Sequence, residues 1–153
     1  MNHSYPLPSA EIGLDTLDRP SRAILTLARY RFLSFALDLP DADRRLATQA
    51  IRLLPPREAI KIARTLAETV DAMRLARRSC FHFGNPNCRH CAARLTAEER
   101  LFISTFAALR AGHPGTARIH ALLLCEANDP TGFLARMDDL CDRFGATCAD
   151  EPR

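Results

Sequence analysis

The sequence predicts an all-α protein: a single domain of about six helices, with a Cys/His-rich loop between the third and the fourth. Three observations predict it. Apolar residues recur at spacings of three and four along most of the chain, the period of one helix face. Proline, acidic or hydroxyl residues stand where these runs begin, and glycine or a further proline where they end. No run of alternating β-branched residues and no Asn-Gly or Asp-Gly hairpin turn interrupts them. At 153 residues, 47 % of them apolar, the chain suits one core. A metal or disulfide is then expected to order a loop rather than to hold up the whole fold.

Residues 1–18 are rich in proline and lack periodicity, so an extended or mobile arm is expected, followed by a helical domain over 19–145 and a tail over 146–153. The first helix opens at Asp18-Arg19-Pro20 and reaches about Leu37. Its Ile24, Leu25, Leu27, Ala28, Phe32, Leu33, Phe35 and Ala36 cover more than one face, which predicts a central helix or one that pairs with a second copy in a homodimer. A second helix over 41–54 turns Leu46, Ala50, Leu53 and Leu54 inward, and Pro55-Pro56 breaks the chain. The third, over 57–78, carries Ala59, Ile62, Ala63, Leu66, Val70 and Met73 as its stripe. The fourth opens at Thr96, with Glu99 three residues on to complete a capping box, and ends near Gly112. The fifth, over 116–127, assigns Ile119, Leu122, Leu123 and Cys125 to the core. The sixth follows Asp129-Pro130 with Phe133, Met137, Leu140, Cys141 and Phe144, and Gly145 is its expected stop.

Net charge is +3, and Lys61 is the single lysine among 21 basic residues. Residues 1–79 hold 13 basic and 9 acidic side chains, residues 80–153 hold 8 and 9. The Arg-rich first half therefore offers a basic face to an anionic partner, nucleic acid among them. Mixed signs along the third helix, where Arg57, Lys61 and Arg64 give way to Glu68 and Asp71, favour plain solvation instead. The N-terminal residues lack the charged and apolar regions of a secretory signal. The most apolar windows either contain Arg29 and Arg31 or are too short to span a bilayer. A cytoplasmic chain without membrane contact is expected. There, cysteines act as ligands, switches or core residues rather than as structural disulfides.

The candidate site is CFHFGNPNCRHC, residues 80–91. Cys88 and Cys91 form a C-x2-C pair, a spacing that lets two thiolates grip one tetrahedral ion from a tight turn. Cys80 is the third expected ligand to zinc and His82 the favoured fourth, with His90 and Cys125 as further candidates. Arg74, Arg77, Arg78, Arg89 and Arg94 surround the loop and favour thiolate. The same residues admit a redox reading, in which Cys88 and Cys91 cycle between dithiol and disulfide and Cys80 resolves. An iron–sulfur cluster would need Cys125 or another distant cysteine as a ligand, and a loop without any cofactor is the remaining reading. A thioredoxin-like motif lacks its preceding strand, and c-type haem attachment lacks a histidine at position 92. Cys125 and Cys141 fall at core spacing, and Cys148 lies in the tail.

Enzyme signatures are weak. There is no glycine-rich phosphate loop. Asp138 and Asp139 are neighbours on a helix and diverge by about 100°. Cys80 with His82, or Cys91 with His90, is too tightly spaced for the usual geometry of a nucleophile and its base. The sequence reading is a non-enzymatic regulator or adaptor whose zinc-ordered loop presents Arg89 and its neighbours to a protein partner.

Overall fold

A computed structural model describes residues 13–148, with side chains through Gly145. The described residues form α1 (Arg19–Ala36), α2 (Ala42–Leu53), α3 (Pro56–Ala76), α4 (Arg89–Ala92), α5 (Ala97–Arg110), α6 (Pro114–Leu124) and α7 (Thr131–Cys148), and no strand. The all-α class read from the sequence is the class observed.

Local chemistry sets the helix ends. Asp18 caps α1, its side chain accepting the Ser21 N–H at 2.9 Å, and Pro20 occupies the first turn. Pro56 and Pro114 open α3 and α6, where a missing N–H has no intrahelical partner to lose. Gly112 ends α5 at φ 77, and the next N–H, that of His113, reaches back to the Ala108 carbonyl at 2.8 Å.

The helices bury one continuous core. α3 packs chiefly against α7 and α2, and α5 against α6. α1 touches α2, α3 and α5. Its Ile24, Leu25, Leu27 and Ala28 are fully buried, as is the stripe of α3 from Ala59 to Met73. Phe102, Phe106, Phe133, Met137 and Phe144 fill the far side.

Four expectations are corrected. The loop before α5 contains a turn of helix, α4, which is too short to carry a periodic signal. α6 hides Ala117, Ala121, Leu124 and Cys125, while Ile119 and Leu123 are 60 % and 62 % exposed. Small residues on its inner face let it sit close to α5, and the larger ones are turned to solvent. Leu53 likewise faces outward at the end of α2, and Leu54 takes the inner position. Gly145 does not stop α7, which continues to Cys148 because the glycine keeps a negative φ and never adopts the left-handed cap.

Residues 13–18, read in the sequence as part of an arm, fold onto the loop. Gly13 bridges to Arg94, the Leu14 N–H donates to the Ala93 carbonyl at 2.9 Å, and Leu14 to Thr16 make a single 3-10 turn. Leu14 and Leu17 pack against the core. The expected arm over residues 1–12 and the last five residues of the tail lie outside the described residues. Among the described residues, no helix is long and apolar enough to cross a membrane.

Candidate functional site

The cysteine loop is built around a buried charge. Arg29 lies on the inner face of α1, one residue after Ala28, and its side chain is 1 % exposed. Its Nε donates to Glu99 Oε1 at 2.7 Å and one terminal nitrogen to Oε2 at 2.9 Å, a two-point pairing that matches the planar fork to the carboxylate. The remaining donors go to the loop: the Ala92 carbonyl at 2.7 Å and the Arg94 carbonyl at 2.6 Å. Glu99 is equally committed. It accepts the Gly84 N–H at 2.9 Å and the Thr96 N–H at 3.0 Å, the latter completing the capping box of α5. One ion pair thus satisfies backbone groups at both ends of the segment between Gly84 and Thr96.

From Cys80 to Phe83 exposed and partly buried side chains alternate. Phe81 stacks on Phe32 of α1 at 4.2 Å between ring centroids, and Phe83 lies 5.6 Å from the same ring. Cys80 and His82 fall on the alternate positions and are exposed. His82 is 75 % exposed, and its Nδ1 lies 2.7 Å from Glu98 Oε1. Partial burial alone would raise the Glu98 carboxyl. The hydrogen bond to His82 and the charges of His82 and Arg77 outweigh it and hold the group below its ordinary range.

Cys88 and Cys91 come together. Cys88 is the residue before α4, and its Sγ accepts the Cys91 N–H at 3.4 Å. A hydrogen bond from the Cys91 thiol, followed by that backbone N–H and the one of His90, holds the Cys88 thiol below its ordinary value. Cys91, whose proton is engaged by Cys88, is pushed up, and desolvation and the Cys88 charge act in the same direction. The two thiols are therefore shifted in opposite directions, Cys88 down and Cys91 up. Arg89 and His90 project from the same short turn into solvent.

Cys125 and Cys141 are core residues, as their spacing predicts. Cys125 is fully buried, and burial raises its thiol against the opposing charge of Arg77. Burial likewise pushes Cys141 up to about 12, and its Sγ lies 3.6 Å from the Phe106 carbonyl oxygen. Among the described residues, no three His, Cys, Asp or Glu side chains gather as a metal ion would require. Cys80, His82, His90 and Cys125 do not join Cys88 and Cys91 in such a group. Arg29 and Glu99 hold the backbone of this segment through the carbonyls of Ala92 and Arg94 and the N–H groups of Gly84 and Thr96.

The sequence reading gave Arg29 and Glu98 no part in the site, and gave Gly84 only the freedom to let the loop fold back. The signal for Arg29 was present: it stands amid the apolar stripe of α1, between Ala28 and Phe32, where a charge needs a partner. A Cβ on Gly84 would lie 2.7 Å from the Cys91 carbonyl oxygen and 2.8 Å from an Arg29 nitrogen, a demand visible only once the loop has closed.

No protein-family model, curated protein or solved structure matches the chain.

Proposed function

We propose that the chain is a non-enzymatic thiol-based regulator, in which Cys88 and Cys91 pass between dithiol and disulfide and a protein partner reads the change at the α4 turn. The observation that supports this most directly is the placing of the two cysteines in one exposed turn, where the Cys88 Sγ accepts the Cys91 N–H at 3.4 Å. In a reducing compartment such as the cytoplasm, an exposed pair of this kind is a reversible switch rather than a structural bridge.

The chemistry is thiol–disulfide exchange. The Cys88 thiolate attacks one sulfur of a low-molecular-weight disulfide and releases the other as thiolate. Cys91 gives its proton to that leaving thiolate and attacks the Cys88 sulfur, expelling the second half of the oxidant. Two electrons leave the cysteines, one sulfur–sulfur bond forms in the protein, and one breaks in the oxidant. Cys88 is then no longer an anionic acceptor at the start of α4, so Arg89 and His90 change position. Arg29 continues to hold the carbonyls of Ala92 and Arg94, which confines the rearrangement to the exposed turn.

Zinc is the competing occupant, since the same two sulfurs supply half of a tetrahedral site. It would require His82 to leave Glu98 and Cys80 to swing across from the opposite end of the loop. The deciding experiment is a free-thiol count on protein purified without air and analysed for zinc. The expected result is metal-free protein that loses two thiols on exposure to oxidised glutathione. Cys91→Ser should instead trap a glutathione adduct on Cys88. One equivalent of bound zinc, or a thiol count that does not fall, would overturn the proposal.

A further inference from the structure

A second feature lies on the other side of the 77–83 segment. A cleft of about 770 Å³ opens between α1, the end of α3 and the start of the loop, a volume within the range of small-molecule sites. Its walls are of two kinds. Phe32, Phe35, Phe81 and Phe83 make an aromatic side, and Arg31, Arg74, Arg77 and Arg78 line it with positive charge against one acid, Asp71.

Two of those arginines are paired with acids within the fold and two are not. Arg31 contacts Asp71 at 3.2 Å and Asp43 at 3.0 Å, and Arg77 contacts Glu126 at 3.4 Å. Arg74 and Arg78 make no ion pair among the described residues. Arg74 lies with its guanidinium carbon 3.5 Å from the Phe35 ring centroid, held flat by the aromatic face instead of by an acid. The Nε atoms of Arg31 and Arg77 are buried without a hydrogen-bond partner, and the Arg77 side chain is only 6 % exposed.

We infer that this cleft binds a small organic anion, a carboxylate or phosphate monoester carried on an apolar body. Arg74 and Arg78 would take the charged group, as planar forks suited to both anions. The phenylalanine wall would take the apolar body. An inorganic ion would leave that wall wet, and a neutral hydrocarbon would leave the arginines unpaired, so the two kinds of surface together specify an amphipathic ligand. Cys80 lies on the cleft lining and reports on its occupancy.

The inference stands apart from the thiol pair, and its test uses full-length protein carrying Cys88→Ser and Cys91→Ser. The probe is 2-naphthoate, with 2-naphthalenemethanol as neutral counterpart, followed by calorimetry and by iodoacetamide labelling of Cys80 read by peptide mass. Naphthoate should bind saturably, slow Cys80 labelling, and bind about tenfold or more tighter than the alcohol. Arg74→Gln with Arg78→Gln should remove that preference. Arg74 and Arg78 are both exposed, so the fold should survive, which an unchanged melting temperature would verify. Should the variant melt early, the parent protein still decides the matter: raising salt from about 50 to about 500 mM should weaken naphthoate and leave the alcohol unaffected. Equal binding of the two probes, or naphthoate binding that leaves Cys80 labelling unchanged, would overturn the assignment.

Discussion

Arg29 and Glu99 are 70 positions apart in the chain and meet as a two-point ion pair with side chains 1 % and 0 % exposed. Each makes further bonds to the backbone of the cysteine loop, so the pair is less a stabilising contact between α1 and α5 than a clamp on what lies between them. A buried pair of charges is costly to desolvate and often contributes little net stability when well-packed apolar residues are the alternative. Here the alternative is closed off. Four backbone groups, two carbonyls and two N–H groups, depend on these side chains for partners.

Arg29→Met should therefore destabilise strongly, by about 3–5 kcal/mol, because it leaves a buried carboxylate and two carbonyls unpaired. The paired change Arg29→Met with Glu99→Leu removes both charges and would approach wild-type stability if the ion pair acted alone. It should stay well below, since the loop's backbone groups remain unsatisfied. Urea unfolding of the three proteins measures this, and full rescue by the double substitution would contradict the clamp.

Gly84 tests the same closure from the other side. Alanine there places a methyl group against the Cys91 carbonyl oxygen at 2.7 Å and against Arg29, and backbone on one side with a pinned guanidinium on the other gives little room to yield. Gly84→Ala should cost about 1–3 kcal/mol and raise the reactivity of Cys88 and Cys91 together. Gly145→Ala is the opposite case. Nothing stands within 4 Å of the added carbon, and the residue is helical. That substitution should stabilise by about 0.5–1 kcal/mol in thermal or urea unfolding.

These glycines also mark what the sequence carries and what it does not. Stripes of three and four spacing located α1, α3, α5 and α7 because one face of each helix meets the core, and burial selects for that period. Thr96 with Glu99 announced a helix start for an equally local reason. The failures have a common cause: the deciding interaction lies far away in the chain. α6 turned Ala117 and Ala121 inward because of what α5 presents, not because of its own apolarity. Within the site, the closeness of Cys88 and Cys91 was legible, since three residues of a turn fix it. The placement of Cys80 and His82 was not. The alternation Cys80-Phe81-His82-Phe83 carried the information, but it needed Phe32 to show which side faces in.

The C-terminal end of α3 is held by Glu126, which accepts from the Ser79 hydroxyl and from the N–H groups of Arg78 and Ser79 and pairs with Arg77. The Ser79 hydrogen bond is the largest of the influences that keep this carboxyl below its ordinary 4.5. A carboxyl lowered in the folded state contributes stability above its unfolded value and loses it as pH falls through the folded one. Glu126→Gln should therefore lower the melting temperature near neutral pH. Its deficit relative to wild type should shrink as pH falls below 4.5, where the wild-type carboxylate is progressively protonated. A constant gap across that range would show that the charge of Glu126 is irrelevant to its role.

Ionisation of the two loop thiols gives the most direct view of the proposed switch. The Cys88 Sγ accepts the Cys91 N–H, and the neighbouring groups hold the Cys88 thiol low and push Cys91 up, so under the proposed switch the first proton lost belongs to Cys88. Alkylation follows the thiolate fraction. The Cys88 rate should accordingly level off at a lower pH than that of an ordinary thiol, while Cys91 should lag until higher pH. Cys91→Ala removes the thiol donor but keeps the backbone N–H, and should move the Cys88 profile only part of the way back. Cys91→Ser restores an O–H at the same place and should recover most of the lowering. Peptide-resolved iodoacetamide kinetics across pH read both sulfurs in one sample. If Cys88 and Cys91 alkylate at the same rate throughout, or Cys91→Ala leaves Cys88 untouched, the two sulfurs do not share a proton and the switch loses its nucleophile.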